Sequence, residues 1–363
     1  MLRKKGGAYM VTKIGLDLGY ANIAVSDCLA EIYREPSVAL MHKSPGVSRR
    51  ILSCGSDALV AGADGKDAAD YVLVRPFKNG LLYDHEVTKE VIQYIIKSVG
   101  AYDKIRCIVG VPSDLQPKQE KELLAMISDA GVQVAAAVSR PVAALIGAGY
   151  SPSMSVISVN IGAQSTEVAI IYKGGIIHSA RGDVGGEDFD KAVKQYILDN
   201  GDVNVSLIVA RTIKEKLGAV WQGKPNDSID IEGTLSLTGG KLRMNVTTED
   251  IVGVFEEPLR RILETISKAV RSIQPEAVKD IFANGIVLTG GGAELFGIDI
   301  LISKVLGISV TKPQNAMDCV AKGLARINAF VPPKAKIAGK NITYDVAQYY
   351  EASKDKRGVR DED

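Results

Sequence analysis

The chain lacks an excess of charge of either sign: 44 Lys and Arg stand against 43 Asp and Glu in 363 residues, a formal net charge of +1. Such a balance supplies no global field to draw it to nucleic acid or to an anionic bilayer. Histidine (3) and cysteine (4) are scarce, and Cys28, Cys54, Cys107 and Cys319 lie far apart with no C-x-x-C pair. A metal cage and a disulfide framework are thereby disfavoured, and a reducing cytoplasm is the expected setting. No apolar run reaches the roughly 18–20 residues of a membrane span. The opening stretch MLRKKGGAYM has basic residues with no apolar segment behind them, so it does not read as a signal peptide. Gly6-Gly7 also interrupts any amphipathic anchor helix there, and Met10 reads as the true start after a passive extension.

What is present is an ordinary globular composition, 46% apolar and 24% charged, with length enough for two well-covered cores. Short β-branched runs alternate with helical patterns, which predicts an α/β protein. Strands are expected at 13–17, 23–26, 105–111, 155–160, 167–172, 175–179 and 285–289. Helices are expected at 88–99, 118–130, 141–148, 186–199, 205–216, 248–272 and 295–306, with Thr248 and Asp250 capping the sixth. Segment 37–69 reads as a short-stranded, Gly-rich insertion, and 221–245 as hairpins around Gly233 and Gly239-Gly240. From residue 331 the polar mix ending in KDKRGVRDED reads as a solvated tail.

The most informative stretch is DLGYANI at 17–23, directly after an apolar run. A carboxylate at a strand end followed by Gly19 in a tight turn sets an acid beside bare backbone N–H groups, a combination suited to a metal-bound phosphate. Strand–Asp-Leu-Gly–strand near residue 17 is echoed by strand–Asn-Ile-Gly–strand near 160, and a further glycine run lies within 285–297. The echo predicts duplicated domains with ligand between their phosphate turns.

With these residues in view, the chain from about 13 to 329 resembles the bacterial actin family of MreB- and MamK-like homologues. The matching stretches, in order, are DLGYANIAV (17–25), EPSVAL (35–40), RPFKNGLLYD (75–84), VGVPSDL (109–115), RPVAALIGAG (140–149), VNIGAQSTEVAII (159–171), GDVGGEDFDKAV (182–193), IKEKLG (213–218) and GIVLTGGGAELFGI (285–298). The resemblance implies an actin-like ATPase fold, two duplicated ribonuclease-H-like domains flanking a nucleotide cleft. The first domain would take residues 11–150 with a small subdomain near 37–70. The second would take 151–315 with one near 186–246. A return helix at 316–330 and a flexible tail at 331–363 complete the expected layout. The resemblance also implies ATP (GTP stays open) with Mg²⁺, and head-to-tail assembly of the chain with itself into cytoplasmic, cytoskeletal filaments.

Site roles follow from the same resemblance. Asp17 would hold Mg²⁺ through water, with Gly19, Tyr20, Ala21 and Asn22 around the phosphates. Asn160, Gly162, Ala163, Gln164, Ser165 and Thr166 would form a second phosphate turn. Arg211, Lys214 and Glu215 would lie near adenine and ribose. Gly290, Gly291, Gly292 and Leu295 would back the base, with Gly186 as a further close-approach point.

Departures from the family pattern carry chemical weight. Where relatives have a Glu that positions the attacking water, this chain has Arg140, which has no acceptor lone pair but suits a bidentate grip on a terminal phosphate. Asn160 replaces an expected Asp, Gln164 replaces a glycine, and Tyr20 replaces a small hydroxyl residue. Altered, slow hydrolysis is therefore expected, with Gln164 as a substitute water-orienting group. Loop 99–103 is short and weakly apolar, so membrane contact is expected to be weak or indirect, and no nucleic-acid partner is expected. Cell-shape and organelle-positioning (magnetosome) filaments both fit. The alternatives are a chaperone, reactivating factor or kinase on the same fold, or an impaired scaffold co-assembling with another bacterial actin.

Overall fold

A computed structural model of the chain describes residues 11–27, 32–42, 50–63, 70–78, 81–99, 105–235, 238–330, 346 and 348. The expected N-terminal extension, Met10, nearly all of loop 99–103 and all of the expected tail at 331–363 except 346 and 348 lie outside the described residues. Two compact units result. One takes in the described residues up to Met154, Ile171–Ile177 and those from Asp318 on; the other takes Ser155–Ile170 and His178–Met317.

The first unit is built on a five-stranded sheet in the order Gln133–Ser139, Ile105–Val111, Thr12–Leu18, Asn22–Asp27, Ile32–Pro36. All seven residues of Ile105–Val111 are buried, as expected of a parallel strand covered on both faces. Its one charge, Arg106, donates to Asn328 Oδ1 at 2.7 Å, and the Asn328 amide donates back to the carbonyls of Ile14 (2.8 Å) and Arg106 (2.9 Å). Thr12–Leu18 runs parallel to Ile105–Val111 and antiparallel to Asn22–Asp27, with Asp17 opposite Gly110 and Ala24. Asp17 therefore stands at the C-terminal end of an inner strand, the end where ligands collect in open α/β sheets.

Helix Cys319–Phe330 returns to this unit and crosses Arg140–Gly147 backbone to backbone. A Cβ on Gly147 would lie 1.7 Å from the Cys319 carbonyl oxygen, and one on Gly323 would lie 1.7 Å from that of Ala143. Segment 37–69 contributes short strands Ala39–His42 and Ile51–Cys54 to a three-stranded sheet with Tyr71–Val74, and adds helix Gly55–Ala63.

A second five-stranded sheet, most of it in the second unit, repeats the plan. Its order is Gly175–Gly182, Thr166–Tyr172, Val156–Ile161, Ile286–Thr289, Val310–Thr311: three strands consecutive in sequence, then two that arrive by crossover. Asn160 occupies the place in this sheet that Asp17 holds in the other, opposite Thr289 on a parallel neighbour.

Several expectations need correction. Gly233 is not a turn but lies inside strand Ser228–Leu235, paired with Leu242. A side chain there would meet Val203 Cγ1 at 2.3 Å, so the glycine lets strand Val203–Asn204 close on the sheet. The expected helix 248–272 is two helices, Thr248–Ile251 and Glu256–Arg271, parted at Gly253 with φ +91°. Its cap is Thr247, not Thr248; the Thr248 hydroxyl instead accepts from the Asp227 N–H at 3.1 Å. The expected helix 295–306 begins at Ile298, because Gly291–Glu294 is a 3-10 turn and Gly297 has φ +78°. Helices Gly55–Ala63 and Pro275–Asn284 were not expected from the sequence. Among the described residues no helix is long and apolar enough to cross a membrane.

Candidate functional site

In the first unit the site is a tight turn between Thr12–Leu18 and Asn22–Asp27. The Gly19 N–H closes it by donating to the Asn22 carbonyl at 3.1 Å. One side chain organises its outer edge: Arg75 Nη1 donates to the carbonyls of Tyr20 (3.0 Å), Ala21 (3.4 Å) and Ser37 (3.2 Å). The same guanidinium lies 4.8 Å from the Tyr20 ring centroid, a cation–π contact. Tyr20 is thus held by this contact.

Arg140 reaches the same turn from the first position of its helix. Its Nε donates to Asp17 Oδ1 at 3.3 Å and its Nη2 to the Leu18 carbonyl at 2.9 Å. Both side chains are largely enclosed, with 9% of Arg140 and 20% of Asp17 exposed. Burial raises the Asp17 pKa above the usual carboxylate value, and the charge and hydrogen bond of Arg140 pull it partly back. The structure thus turns this guanidinium onto the turn itself.

In the second unit the turn after Val156–Ile161 is closed by the Gly162 N–H donating to the Ser165 carbonyl at 2.8 Å. Helix Gly186–Gly201 abuts it: the Gly186 N–H donates to the Gly162 carbonyl (2.9 Å) and the Glu187 N–H to that of Ala163 (2.7 Å). Gln164 Nε2 donates to Glu187 Oε2 at 3.1 Å, and the Thr166 hydroxyl is spent inward on the Val184 carbonyl at 2.9 Å. The Asn160 carboxamide is buried, and its Oδ1 accepts from the Thr289 hydroxyl at 3.3 Å.

Around this turn gather most of the other expected residues. Lys214 Nζ donates to the Gly186 carbonyl at 3.0 Å and pairs with Asp190 Oδ1 at 2.6 Å, while Arg211 Nε takes Asp190 Oδ2 at 3.0 Å. Glu215, on the same helix, is exposed. Gly290, at φ +89°, lies so close to the strand end that a Cβ would meet the Ile161 carbonyl oxygen at 2.4 Å and Asn160 Oδ1 at 2.8 Å. Gly292 packs onto Ile161, Gly291 is exposed, and Leu295 is buried against Gly218 of IKEKLG.

The residues do not fit a protein-ligated divalent cation. Asp17 is paired with a guanidinium, Asn160 is neutral and bonded to Thr289, and no group of three or more His, Cys, Asp or Glu converges among the described residues. Two organising residues escaped the sequence reading. Arg75 stood in RPFKNGLLYD without an assigned role, and only the folded chain brings it to Tyr20. Asp190 carried a readable signal, a charge on the buried stripe of Phe189, Val193 and Ile197.

The sequence profile of the MreB/Mbl protein family matches residues 11–334. The cell shape-determining protein MreB of Haemophilus influenzae is 31% identical over 333 residues, 89% of this chain and 94% of that one. The cell shape-determining protein Mbl of Bacillus subtilis is 28% identical, covering 85% and 93%. Among solved structures, MreB5 of Spiroplasma citri bound to ADP superposes with TM-score 0.80 at 22% identity, covering 87% of this chain and 95% of that one. A MamK double helical filament gives TM-score 0.74 at 22% identity, covering 89% and 100%. These two likenesses show the same fold. From the family match and the extent of the Haemophilus alignment, the chain belongs to the MreB/Mbl family of actin-like bacterial cytoskeletal proteins.

Proposed function

We propose that this protein binds a nucleoside triphosphate and polymerises into a cytoskeletal filament of the cell-shape class. The observation that carries the reading is the repeated strand-end turn: Asp17 before the Gly19 turn in one unit, Asn160 before the Gly162 turn in the other, at equivalent places in sheets of the same strand order. Each turn on its own is a Gly-containing strand end suited to an oxyanion. ATP is the favoured nucleotide, because Spiroplasma MreB5 is described with ADP and, in a second crystal structure, with AMPPNP. In this reading Lys214, held by Asp190 and Gly186, serves the ribose side, and the Gly290–Gly292 turn backs the base. Hydrolysis is slow, because Arg140 stands where a water-positioning acid is expected and has no lone pair to accept a proton.

Self-assembly is supported by the description of MamK as a double helical filament, and the cell-shape assignment by the description of the Haemophilus and Bacillus relatives. Calorimetric titration of the full-length protein tests the nucleotide half. Saturable heat with ATP, and weaker heat with GTP, is expected; silence with both overturns it.

A further inference from the structure

We infer that the Arg140 guanidinium is a built-in counter-cation at the Asp17 strand end, so that this chain binds a nucleoside triphosphate without needing a divalent metal ion. The inference rests on the nucleotide reading above and deepens it. A hard divalent cation is held by oxygens, chiefly carboxylates, backbone carbonyls and water. At this strand end two protein oxygens of that kind accept from one side chain: Asp17 Oδ1 from Arg140 Nε at 3.3 Å, and the Leu18 carbonyl from Arg140 Nη2 at 2.9 Å. A hydrated dication set against Asp17 would stand beside a guanidinium that stays protonated at every working pH.

The local charge points the same way. Asp17 and Arg140 form a neutral pair, and Asn160, at the equivalent strand end, is an uncharged amide whose Oδ1 accepts from Thr289 at 3.3 Å. Each strand end, taken by itself, therefore offers a hydrated cation no uncompensated carboxylate to hold it. Arg140 is a positioning residue here: it neutralises Asp17 and fixes the Leu18 carbonyl, so its effect reads out in metal dependence and not only in affinity.

The test is the affinity of a fluorescent methylanthraniloyl-ATP for the full-length protein, measured with excess EDTA and with millimolar Mg²⁺. For the wild type the two dissociation constants are expected to agree within about threefold. Arg140→Ala is expected to bind at least about tenfold more weakly in EDTA than in Mg²⁺, while Arg140→Lys, which keeps the positive charge, is expected to behave like the wild type. A wild type that weakens about tenfold or more in EDTA overturns the inference and leaves the nucleotide reading standing. Equal metal independence in Arg140→Ala also overturns it, since the guanidinium would then not be the cause. Binding in neither buffer overturns both readings. Should Arg140→Ala fail to fold, the wild-type comparison and Arg140→Lys decide alone.

Discussion

Among single residues, the Asp17–Arg140 pair governs the chemistry of the first strand end. Asp17 has a pKa raised by burial and partly restored by Arg140, so its charged form is the one that burdens the fold. That burden is absent below the unfolded-state pKa and grows as pH rises through the folded-state value. Removing Arg140 raises the folded value further. Arg140→Ala is therefore expected to lose about 3 kcal/mol near neutral pH, as when one partner of an enclosed ion pair is deleted. The loss should shrink near pH 4, where the lone carboxyl is protonated more readily. Urea denaturation at the two pH values measures both, and equal losses would contradict the assignment. Phosphate release provides a second check. Lacking a positioned acceptor commonly lowers rates about 10²–10⁴-fold, so turnover near background is expected. Robust turnover, with no gain in Arg140→Glu, would show that the site manages without a carboxylate there.

Single-residue contacts are also the part of the fold least legible in the sequence. Arg140, Asn160 and Gln164 stood out because they break a pattern, and each lies beside a strand-end turn in the structure. Their partners were not legible: Glu187 for Gln164 and Leu18 for Arg140 are set by which loops fold against which. Thr166 illustrates the same limit, since its hydroxyl is turned inward to Val184 and not toward the turn's open side.

At the scale of elements, caps and crossings give sharper expectations. Thr247 and Asp250 form a reciprocal cap: the Thr247 N–H and hydroxyl both donate to Asp250 Oδ2 at 2.7 Å, and the Asp250 N–H donates to the Thr247 hydroxyl at 3.3 Å. These bonds hold the Asp250 pKa below its ordinary value, the Thr247 hydroxyl contributing most. A depressed carboxylate stabilises above its unfolded-state pKa and loses that contribution as pH falls through the folded value. Thr247→Ala is expected to cost about 1 kcal/mol at neutral pH, and less near pH 3, by chemical denaturation. The crossing of Arg140–Gly147 with Cys319–Phe330 is less forgiving, because a methyl group on Gly323 would stand 1.7 Å from a backbone oxygen. Gly323→Ala is expected to destabilise by about 3 kcal/mol, read as a lowered urea midpoint; an unchanged midpoint would show that the helices slide apart without penalty.

Element types were largely legible because periodicity and β-branching report them directly. The failures are local. Gly233 looked like a turn because glycine usually marks one, whereas here it clears space for a neighbouring strand. The run 248–272 looked continuous because its apolar spacing survives the interruption at Gly253. Pro275, which opens an unexpected helix, is a start signal that the sequence offered and the reading passed over.

At the scale of the whole molecule, duplication was the feature most plainly written in the sequence. Two strand–turn–strand echoes become two sheets of identical order, with Asp17 and Asn160 at matching ends. What one sequence does not encode visibly is how copies meet, since that depends on surface patches no internal periodicity reports. Whether nucleotide binding drives this chain into filaments is decided by sedimentation with electron microscopy of the purified full-length protein in ATP, in ADP and without nucleotide. Pelleted, regular filaments with ATP are the expected result; a protein that stays in the supernatant under all three conditions would contradict it.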